Sequence, residues 1–462
     1  MKNTLLTIFL LVSSFFSKVM ADDYVGLSLI PPDQITNKVD LDIRGGLINK
    51  GDKLSNYEVS IYLNKVSKKN LLHFSDNQVA ANKAIEIKHK LITKDLVGDH
   101  KIIMVVKNNG RTNKISKNFR VIESETRSTK QIDGAWAGIY HWSETEGKHW
   151  NADIKKMTDA QWSEMVRSMN KIQMNTIVIQ EVFRNEEYVG KHNTTVDNYK
   201  GTAFYPSKLY VDRVDITAED PIEAILAEAD KHNMNVFLGI GMFAWFDFTT
   251  ESLKWHKNIA KELWDKYGHH PSFYGFYVSE ESGGSLDNWE STAELRYKRS
   301  QEIVRFFQEF SLYCHDLAPD KPIMLATNSF GVPSGEETYP ALLQNLDILC
   351  PFGFARMPEG DLTGKQAADR LQALCDKYGS HLWFDLETFL FNPDQSLYPR
   401  PMEEIIRDLT MLDNFEKILC YQYPGVFSDP DASIKVGEDR TVQLFKDYQK
   451  YLEELFKQRK KK

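Results

Sequence analysis

The chain has 462 residues, which is long enough for two or three domains, or for one barrel with an accessory domain. Its apolar fraction of 42% and charged fraction of 26% are ordinary for a soluble globular protein. The net charge of −8 is a weak argument against nucleic acid or an anionic membrane surface as a partner.

The first 21 residues have the three parts of a secretory signal peptide. Lys2 supplies the positive charge, residues 5–12 form the apolar segment, and Val19-Met20-Ala21 places small residues at the usual cleavage spacing. The apolar run is short and rich in serine, which disfavours a transmembrane anchor. The sequence therefore predicts a secreted or periplasmic protein, and no later segment is apolar enough to span a membrane.

Four cysteines occur, all in the second part of the chain, at Cys314, Cys350, Cys375 and Cys420. Each lies in a run with the pattern of a strand or a helix, and no C-x-x-C pair suggests a zinc site, so we expect buried free thiols. The sequence contains no P-loop, G-x-S-x-G or H-E-x-x-H motif. It predicts neither a metal site nor a cofactor.

Residues 22–125 alternate between apolar and polar side chains in short runs separated by turns rich in glycine and asparagine. The clearest runs are residues 39–43, 57–63, 84–88, 101–106 and 119–122. Such a series of antiparallel strands predicts an immunoglobulin-like β-sandwich, although the Cys-Trp-Cys core of antibody domains is missing. The sandwich contains no catalytic constellation, and we expect it to be a structural or positioning module.

A polar linker at residues 126–131 separates the sandwich from a region in which strands and helices alternate, residues 132–458. Strands are predicted at residues 135–141, 176–182, 235–242, 273–280, 322–328, 347–353, 381–387 and 417–423, here numbered barrel strands 1 to 8. A helical pattern follows each of them. Eight such repeats predict an α/β TIM barrel, (β/α)8. A doubly wound sheet is the alternative, but no glycine-rich phosphate turn follows a strand.

Carboxylates stand at the carboxyl ends of two barrel strands, where the active sites of such barrels lie. Barrel strand 4 ends in Glu280 and Glu281, and barrel strand 7 ends in Glu387. Strand alternation places Glu281 on the inward face with Tyr277, so Glu281 is the preferred catalytic residue and Glu280 the alternate. The same alternation directs Asp385 inward beside Glu387, where it either tunes that carboxylate or forms a salt bridge within the barrel. An exposed loop start is the alternative explanation of the pair at 280 and 281.

Other polar and aromatic residues gather at the predicted strand ends and in the loops that follow them. Aromatic faces suit the C–H faces of sugars, and polar groups there suit sugar hydroxyls, although any single aromatic is more often packed in a core. The predicted substrate-binding residues are His141, Trp142, Gln180, Glu181, Tyr205, Trp245, Asn328, Arg356, Asp385, Tyr421 and Tyr423.

The strand ends Tyr277-Val278-Ser279-Glu280-Glu281 and Phe384-Asp385-Leu386-Glu387-Thr388-Phe389 carry a family resemblance. Together with the signal peptide and the sandwich, they resemble a secreted barrel family of unassigned function that is grouped with the retaining (β/α)8 glycoside hydrolases. The resemblance implies a general acid/base on barrel strand 4, at Glu281 or Glu280, and a nucleophile on barrel strand 7, at Glu387. It implies a retaining glycoside hydrolase acting on an oligo- or polysaccharide.

The competing hypothesis is a non-catalytic carbohydrate-binding or scaffold protein on the same barrel, since a fold does not fix a function. The sequence names neither the sugar nor the linkage, and it leaves the oligomeric state open.

Overall fold

The computed structural model of the protein describes residues 23–185 and 192–460, so the predicted signal peptide lies outside the described residues. An N-terminal β-rich region precedes a parallel barrel. The first eight strands are β1 Tyr24–Ile30, β2 Gln34–Thr36, β3 Leu41–Ile48, β4 Ser55–Leu63, β5 Leu71–Val79, β6 Ala84–Leu91, β7 Gly98–Asn108 and β8 Arg111–Ile122. Short 3-10 helices occur at Lys68–Asn70, Val332–Gly335 and Phe354–Arg356.

The N-terminal strands form two sheets that share one hydrophobic core. One sheet has the order β1-β3-β6, and the other has the order β2-β8-β7-β4-β5; apart from the parallel β2–β8 pair, neighbouring strands are antiparallel. Alternate residues of β7, Ile102, Met104 and Val106, contribute to the core, as the period of two requires. All five predicted runs overlap these strands. The immunoglobulin-like assignment stays a prediction.

The second region alternates strands and helices. Its strands are β9 Gly134–Ala137, β10 Thr176–Ile179, β11 Phe183–Asn185, β12 Gly201–Ala203, β13 Asn235–Gly239, β14 Phe273–Ser282, β15 Ile323–Thr327, β16 Ile348–Leu349, β17 His381–Leu382, β18 Phe384–Glu387, β19 Phe389–Phe391, β20 Leu397–Pro399 and β21 Ile418–Tyr421. Its helices are α1 Asn151–Ile154, α2 Asp159–Lys171, α3 Pro221–His232, α4 Thr250–Tyr267, α5 Ala293–Leu317, α6 Tyr339–Leu343, α7 Gly364–Tyr378, α8 Met402–Met411 and α9 Asp439–Arg459.

Nine of these strand segments form one parallel sheet that is nearly closed on itself, in the order β17-β16-β15-β14-β13-β10-β9-β21-β18. The two end segments, β17 and β18, are halves of barrel strand 7 separated by Trp383. The first half pairs with β16 and the second half with β21, both in parallel. The nine segments therefore occupy the eight strand positions of the predicted barrel.

Alternation along the barrel strands separates an inner core from an outer layer under the helices. In barrel strand 7, Leu382, Phe384 and Leu386 belong to the outer layer, whereas Trp383 lies in the inner core. Ile30, from the end of β1, joins the inner core from the sandwich. All four cysteines are free and buried, as predicted.

The sandwich and the barrel meet through buried polar contacts centred on Asp320, which is 1% exposed. Tyr24 donates from its hydroxyl to Asp320 Oδ1 at 2.7 Å, and Ser28 donates to Oδ2 at 3.0 Å. Gly26 lies so close that a Cβ there would be 2.1 Å from Asp320 Oδ1. A side chain at position 26 would therefore separate the two regions.

A second contact between the two regions is the buried ion pair of Arg44 and Asp347, at 2.9 Å. The Arg44 guanidinium also contacts Asp42 at 2.7 Å and Glu86 at 2.8 Å. Burial opposes ionisation of Asp347, but Arg44 and His315 outweigh it and hold the pKa of Asp347 well below its usual range. This carboxylate therefore stabilises the folded state above its unfolded pKa, and the contribution is lost as the pH falls through the folded value.

We expect Arg44→Met to lower the free energy of unfolding by about 3–5 kcal/mol at neutral pH, because it leaves buried carboxylates without their cation. Urea unfolding monitored by tryptophan fluorescence measures this change. The matched control is Arg120→Met, which breaks the exposed pair with Asp99 and is expected to cost no more than about 1 kcal/mol. Equal effects of the two substitutions would show that the buried pair does not join the regions.

No helix within residues 23–185 and 192–460 is long and apolar enough to cross a membrane.

Candidate functional site

The end of β14 is irregular, and the irregularity separates its two glutamates. The pairing register between β14 and β15 shifts between Val278 and Ser282, which marks a bulge. Within the bulge, Glu281 has a left-handed backbone with a φ of 52°, which is uncommon for a residue other than glycine. The side chains of Glu280 and Glu281 consequently reach different surroundings.

Glu281 belongs to the barrel mouth, a group of neighbouring side chains at the carboxyl ends of the barrel strands: Gln180, Glu281, Asp385, Glu387 and Tyr421. Tyr421 donates a hydrogen bond to Gln180, and Asp385 is close enough to Glu281 and Glu387 for their charges to raise its pKa. Glu281 Oε2 accepts a hydrogen bond of 3.3 Å from the indole Nε1 of Trp245. Burial raises the pKa of Glu281 to about 7, with a further contribution from Glu146, against the lowering effects of Trp245 and Arg356. A substantial fraction of this carboxyl is therefore protonated at neutral pH.

Glu280 lies behind the mouth and is 0% exposed. Its Oε1 accepts a hydrogen bond from the backbone N–H of Phe243 and lies 3.7 Å from His256 Nε2. Burial raises the pKa of Glu280 well above its ordinary value. Its backbone carbonyl accepts from Phe246 N–H at 2.9 Å, so this residue holds the loop after β13 at two points.

The loop that Glu280 holds is the one that carries Trp245 to Glu281. Trp245 and Phe246 both have left-handed backbones, with φ values of 36° and 63°. Bulky residues rarely adopt this conformation, and it persists only where surrounding contacts enforce it. The two contacts from Glu280 supply part of that enforcement, which makes Glu280 a positioning residue for the indole that binds Glu281.

We expect Glu280→Gln to be at least as stable as the wild type, because an amide presents the same carbonyl acceptor to Phe243 as a neutral carboxyl and removes a group whose ionisation the folded state disfavours. Glu280→Leu removes the acceptor and is expected to lower the free energy of unfolding by about 1–3 kcal/mol. Urea unfolding of the two variants checks the prediction. If glutamine destabilises the protein as much as leucine, Glu280 is ionised in the folded state.

Glu387 closes β18 and is held by two arginines. Its Oε1 accepts from Arg356 Nε at 2.7 Å, and its backbone carbonyl accepts from Arg400 Nη1 at 3.2 Å. Arg400 is itself buried and paired with Asp408 at 2.7 Å. Burial raises the pKa of Glu387 above its usual value, and the positive charge of the adjacent Arg356 opposes this rise.

Asp385 lies within the barrel, two residues before Glu387, and is 5% exposed. Its Oδ1 has no hydrogen-bond partner, and it forms no ion pair with the part of the chain that the structure describes. Burial raises the pKa of Asp385 well above its ordinary value, and the charges of Glu387 and Glu281 raise it further. Of the two predicted roles, the contacts favour tuning of Glu387 over a salt bridge within the barrel.

Hydrogen-bonded polar groups line the opposite side of the mouth. The Tyr421 hydroxyl donates to Gln180 Oε1 at 3.0 Å and lies 3.3 Å from His141 Nδ1. The other ring nitrogen of His141, Nε2, lies 3.1 Å from Glu146 Oε2. The rings of Trp142 and Trp245 are 5.3 Å apart, so Trp142 extends this side towards Glu281.

Two predicted substrate-binding tyrosines lie elsewhere, in the outer layer of the barrel. Tyr205 is 0% exposed, and its hydroxyl donates to Glu262 of α4 at 2.5 Å. Tyr423 is 4% exposed and stacks on Phe427 at 5.9 Å. Both belong to the outer hydrophobic core, so the structure does not bring these two tyrosines together with Glu281 and Glu387.

Two further predicted substrate-binding residues form contacts with residues close to them in the chain. Glu181 is buried in an ion pair with Arg184, three residues later in the chain. Asn328 accepts the backbone N–H of Phe330 at 2.6 Å and so stabilises its own turn. Neither residue contributes a side-chain contact to the two glutamates at the mouth.

Sequence reasoning missed Glu146 and Arg400. Glu146 lies in the loop after β9 and contributes to the raised pKa of Glu281, while Arg400 braces the backbone of Glu387. Glu146 is one of several polar residues in its loop, and no periodicity distinguishes it from the others. Arg400 follows Tyr398-Pro399, and its spacing of four residues from Glu404, with which it pairs at 3.0 Å, was the available signal.

Comparison with solved structures finds partial similarity to proteins of low sequence identity. An alignment with "a putative alpha-L-fucosidase" from Bacteroides thetaiotaomicron covers 70% of this chain and 93% of that chain, at 17% identity and a TM-score of 0.50. An alignment with a beta-glucuronidase from Bacteroides uniformis covers 92% of this chain and 49% of the glucuronidase, at 13% identity and a TM-score of 0.43. An alignment with a GH2 beta-galacturonidase from Eisenbergiella tayi covers 94% of this chain and 72% of the galacturonidase, at 10% identity and a TM-score of 0.40.

The first of these similarities supports the fold alone, given its low identity. The chain spans about half the length of the glucuronidase. A comparison with curated proteins found no match to the sequence.

A comparison with protein families places most of the barrel in one of them. The match runs over residues 132–434, from the segment before β9 to the segment that follows β21. The matched segment includes Glu281 and Glu387 and covers well over half of the chain. The protein therefore belongs to the family described as "Domain of unknown function (DUF4434)".

Proposed function

We propose that the protein is a secreted glycoside hydrolase that cleaves an oligo- or polysaccharide with retention of configuration. Glu281 is the general acid/base and Glu387 is the nucleophile. The observation that carries the proposal is the difference between their surroundings: Glu281 has a pKa of about 7, whereas Arg356 holds the carboxylate of Glu387 at 2.7 Å. A two-carboxylate glycosidase needs one protonated and one ionised carboxyl group.

In the first step, a Glu387 oxygen attacks the anomeric carbon while protonated Glu281 gives its proton to the glycosidic oxygen. The bond to the leaving sugar breaks, and a glycosyl ester forms on Glu387. In the second step, ionised Glu281 takes a proton from water, the water oxygen attacks the anomeric carbon, and Glu387 leaves as a carboxylate. Arg356 stabilises the negative charge of Glu387 before the first step and after the second.

The remainder of the mouth suits a polyhydroxylated ligand. The indoles of Trp142 and Trp245 offer flat apolar surfaces for the C–H faces of a sugar. Gln180 and Tyr421 offer hydrogen-bonding groups on the other side. Asp385, with its unpartnered Oδ1, has an atom free to bind a sugar hydroxyl.

Fold similarity adds background support but assigns no substrate. The solved structures reported above are of a fucosidase, a glucuronidase and a galacturonidase, all enzymes that act on sugars. The predicted signal peptide supports action outside the cytoplasm.

A glycan panel tests the proposal. The purified protein is incubated with neutral, amino and acidic oligo- and polysaccharides, and reducing ends are assayed; binding of uncleaved glycans is measured by calorimetry. We expect release of reducing sugar from at least one class, with the first-formed product keeping its anomeric configuration in NMR spectra. Binding without cleavage across the panel would favour the carbohydrate-binding protein, and an inverted product would contradict the roles given to the glutamates.

A further inference from the structure

A cluster of histidine and carboxylate side chains lies away from the mouth, beside the amino-terminal end of β14. His269 and His270 occupy the segment between α4 and β14, and Glu223 lies in the first turn of α3. One possible ligand atom from each of these three residues lies within 4.8 Å of the other two. The proposed glycosidase chemistry uses none of them.

The orientation of His270 is fixed by a carboxylate behind it. His270 is 6% exposed, and its Nδ1 lies 2.7 Å from Asp230 Oδ2. The other oxygen of Asp230 accepts the backbone N–H of Ser272 at 2.8 Å, which fixes that carboxylate in turn. Nδ1 therefore donates to Asp230, and the second ring nitrogen, Nε2, is the atom available for another partner.

The partner of Nε2 is a second carboxylate, since Glu223 Oε2 lies 3.2 Å away. A neutral imidazole and a carboxylate would face each other there with their lone pairs, so the contact needs a cation between them, either a proton or a metal ion. Ligand atoms about 2.0–2.2 Å from a tetrahedral zinc ion stand about 3.3 Å apart. The spacing of Nε2 and Oε2 therefore fits two ligands of one zinc ion.

His269 distinguishes a metal site from an ordinary histidine–carboxylate pair. It brings a third donor atom within 4.8 Å of the other two, and its ring centre lies 4.1 Å from that of His270. Two imidazole nitrogens and one carboxylate oxygen are a typical zinc donor set, whereas calcium and magnesium prefer oxygen alone. A histidine ligand whose other nitrogen donates to a carboxylate is the usual arrangement at zinc sites.

We propose that Glu223, His269 and His270 bind a zinc ion, with water as the fourth ligand and Asp230 orienting His270. The ion would join α3 to the segment that leads into β14, the strand that ends at Glu281. Since the cluster is remote from the mouth, its role is structural. The sequence predicted no metal site, because Glu223 and the two histidines come together only through the packing of α3 against the end of α4.

Calorimetric titration of the metal-free full chain with zinc chloride at neutral pH tests the site. We expect one zinc ion per chain and a higher melting temperature with zinc, because the metal binds the folded state. His269→Gln and Glu223→Gln, which each remove one proposed ligand, should each weaken zinc binding at least tenfold. Asp230→Asn keeps all three ligands, and we expect it to weaken binding by about 10–100-fold.

The matched control is His232→Gln. His232 lies in the same helix, α3, and its Nε2 is 3.3 Å from Glu228, outside the proposed zinc site. This substitution is expected to leave zinc affinity and the zinc-induced rise in melting temperature unchanged. The proposal is overturned if the wild-type chain binds no zinc, if His269→Gln binds zinc as tightly as wild type, or if calcium gives the same affinity. His269 is exposed, so a folding defect would not obscure the result.

Discussion

Replacing Glu387 with glutamine is expected to lower kcat by about 10⁴-fold or more, the scale seen when a residue of a covalent mechanism is removed. The amide cannot attack the anomeric carbon, so no glycosyl ester forms. The substituted side chain keeps its shape and a carbonyl oxygen that can accept from Arg356, at present 2.7 Å from the carboxylate. Folding and glycan binding should therefore remain close to normal. Turnover is measured on whichever glycan the panel identifies, and binding by calorimetry.

The control for this variant is Glu403→Gln, which makes the same chemical change at an exposed position of α8. It should leave turnover unchanged. Full activity of Glu387→Gln would remove Glu387 from the mechanism. Loss of both turnover and binding, with a normal fold, would instead indicate that Glu387 holds the substrate without attacking it.

Replacing Glu281 with glutamine is expected to lower kcat by about 10²–10⁴-fold on natural glycans, the usual contribution of general acid–base catalysis. Glutamine cannot protonate the leaving oxygen. An activated aryl glycoside needs no such proton for its first step, so the formation of the glycosyl ester from it, seen as a burst of released phenol, should be affected far less. Steady-state and burst kinetics on the two substrate types measure the difference.

Glu281 should also make the activity of the wild-type protein depend on pH. In the proposed mechanism Glu281 is the proton donor, so activity should decline as the pH rises through about 7, the pKa of Glu281 in the folded protein. Glu281→Gln should lose this alkaline limb on the natural substrate. A wild-type profile that stays flat between neutral and alkaline pH would show that Glu281 is not the acid.

The substitution Glu281→Gln should raise stability although it lowers activity. The folded pKa of Glu281 is raised above its ordinary value of 4.5, so the folded state disfavours its ionised form and loses stability as the pH rises from there to about 7. Glu281→Gln should remove this loss and stabilise the protein above neutral pH, by up to about 3 kcal/mol at one pKa unit per 1.36 kcal/mol. Urea unfolding at acidic and alkaline pH measures the difference.

Glu280→Gln is the matched control for the burst kinetics and the pH profile of activity, since it places the same amide one residue earlier. It should keep most of the activity, because Glu280 faces the loop after β13 and not the mouth. If Glu281→Gln is silent and Glu280→Gln is inactive, the acid is Glu280. If both variants and Glu387→Gln remain fully active, the mechanism with carboxylates on barrel strands 4 and 7 is wrong.

The sequence by itself was sufficient for the architecture of the barrel. Apolar strands followed by helical patterns recur eight times, and alternation correctly separated Trp383 from Leu382 and Phe384. These features are local, since each depends on a repeat of two or 3.6 residues along one segment. The same alternation favoured Glu281 over Glu280 before any neighbour of either was known.

The surroundings of each side chain were decided by the tertiary structure. A bulge directs Glu280 to the backbone of Phe243 and Glu281 to Trp245, so the two adjacent carboxyl groups have different hydrogen-bond partners. Long-range packing takes Tyr205 to α4. It also brings Glu146 to the mouth. Such contacts join residues far apart in the chain, and a pKa depends on the burial and charges they create, which no periodicity along one segment encodes.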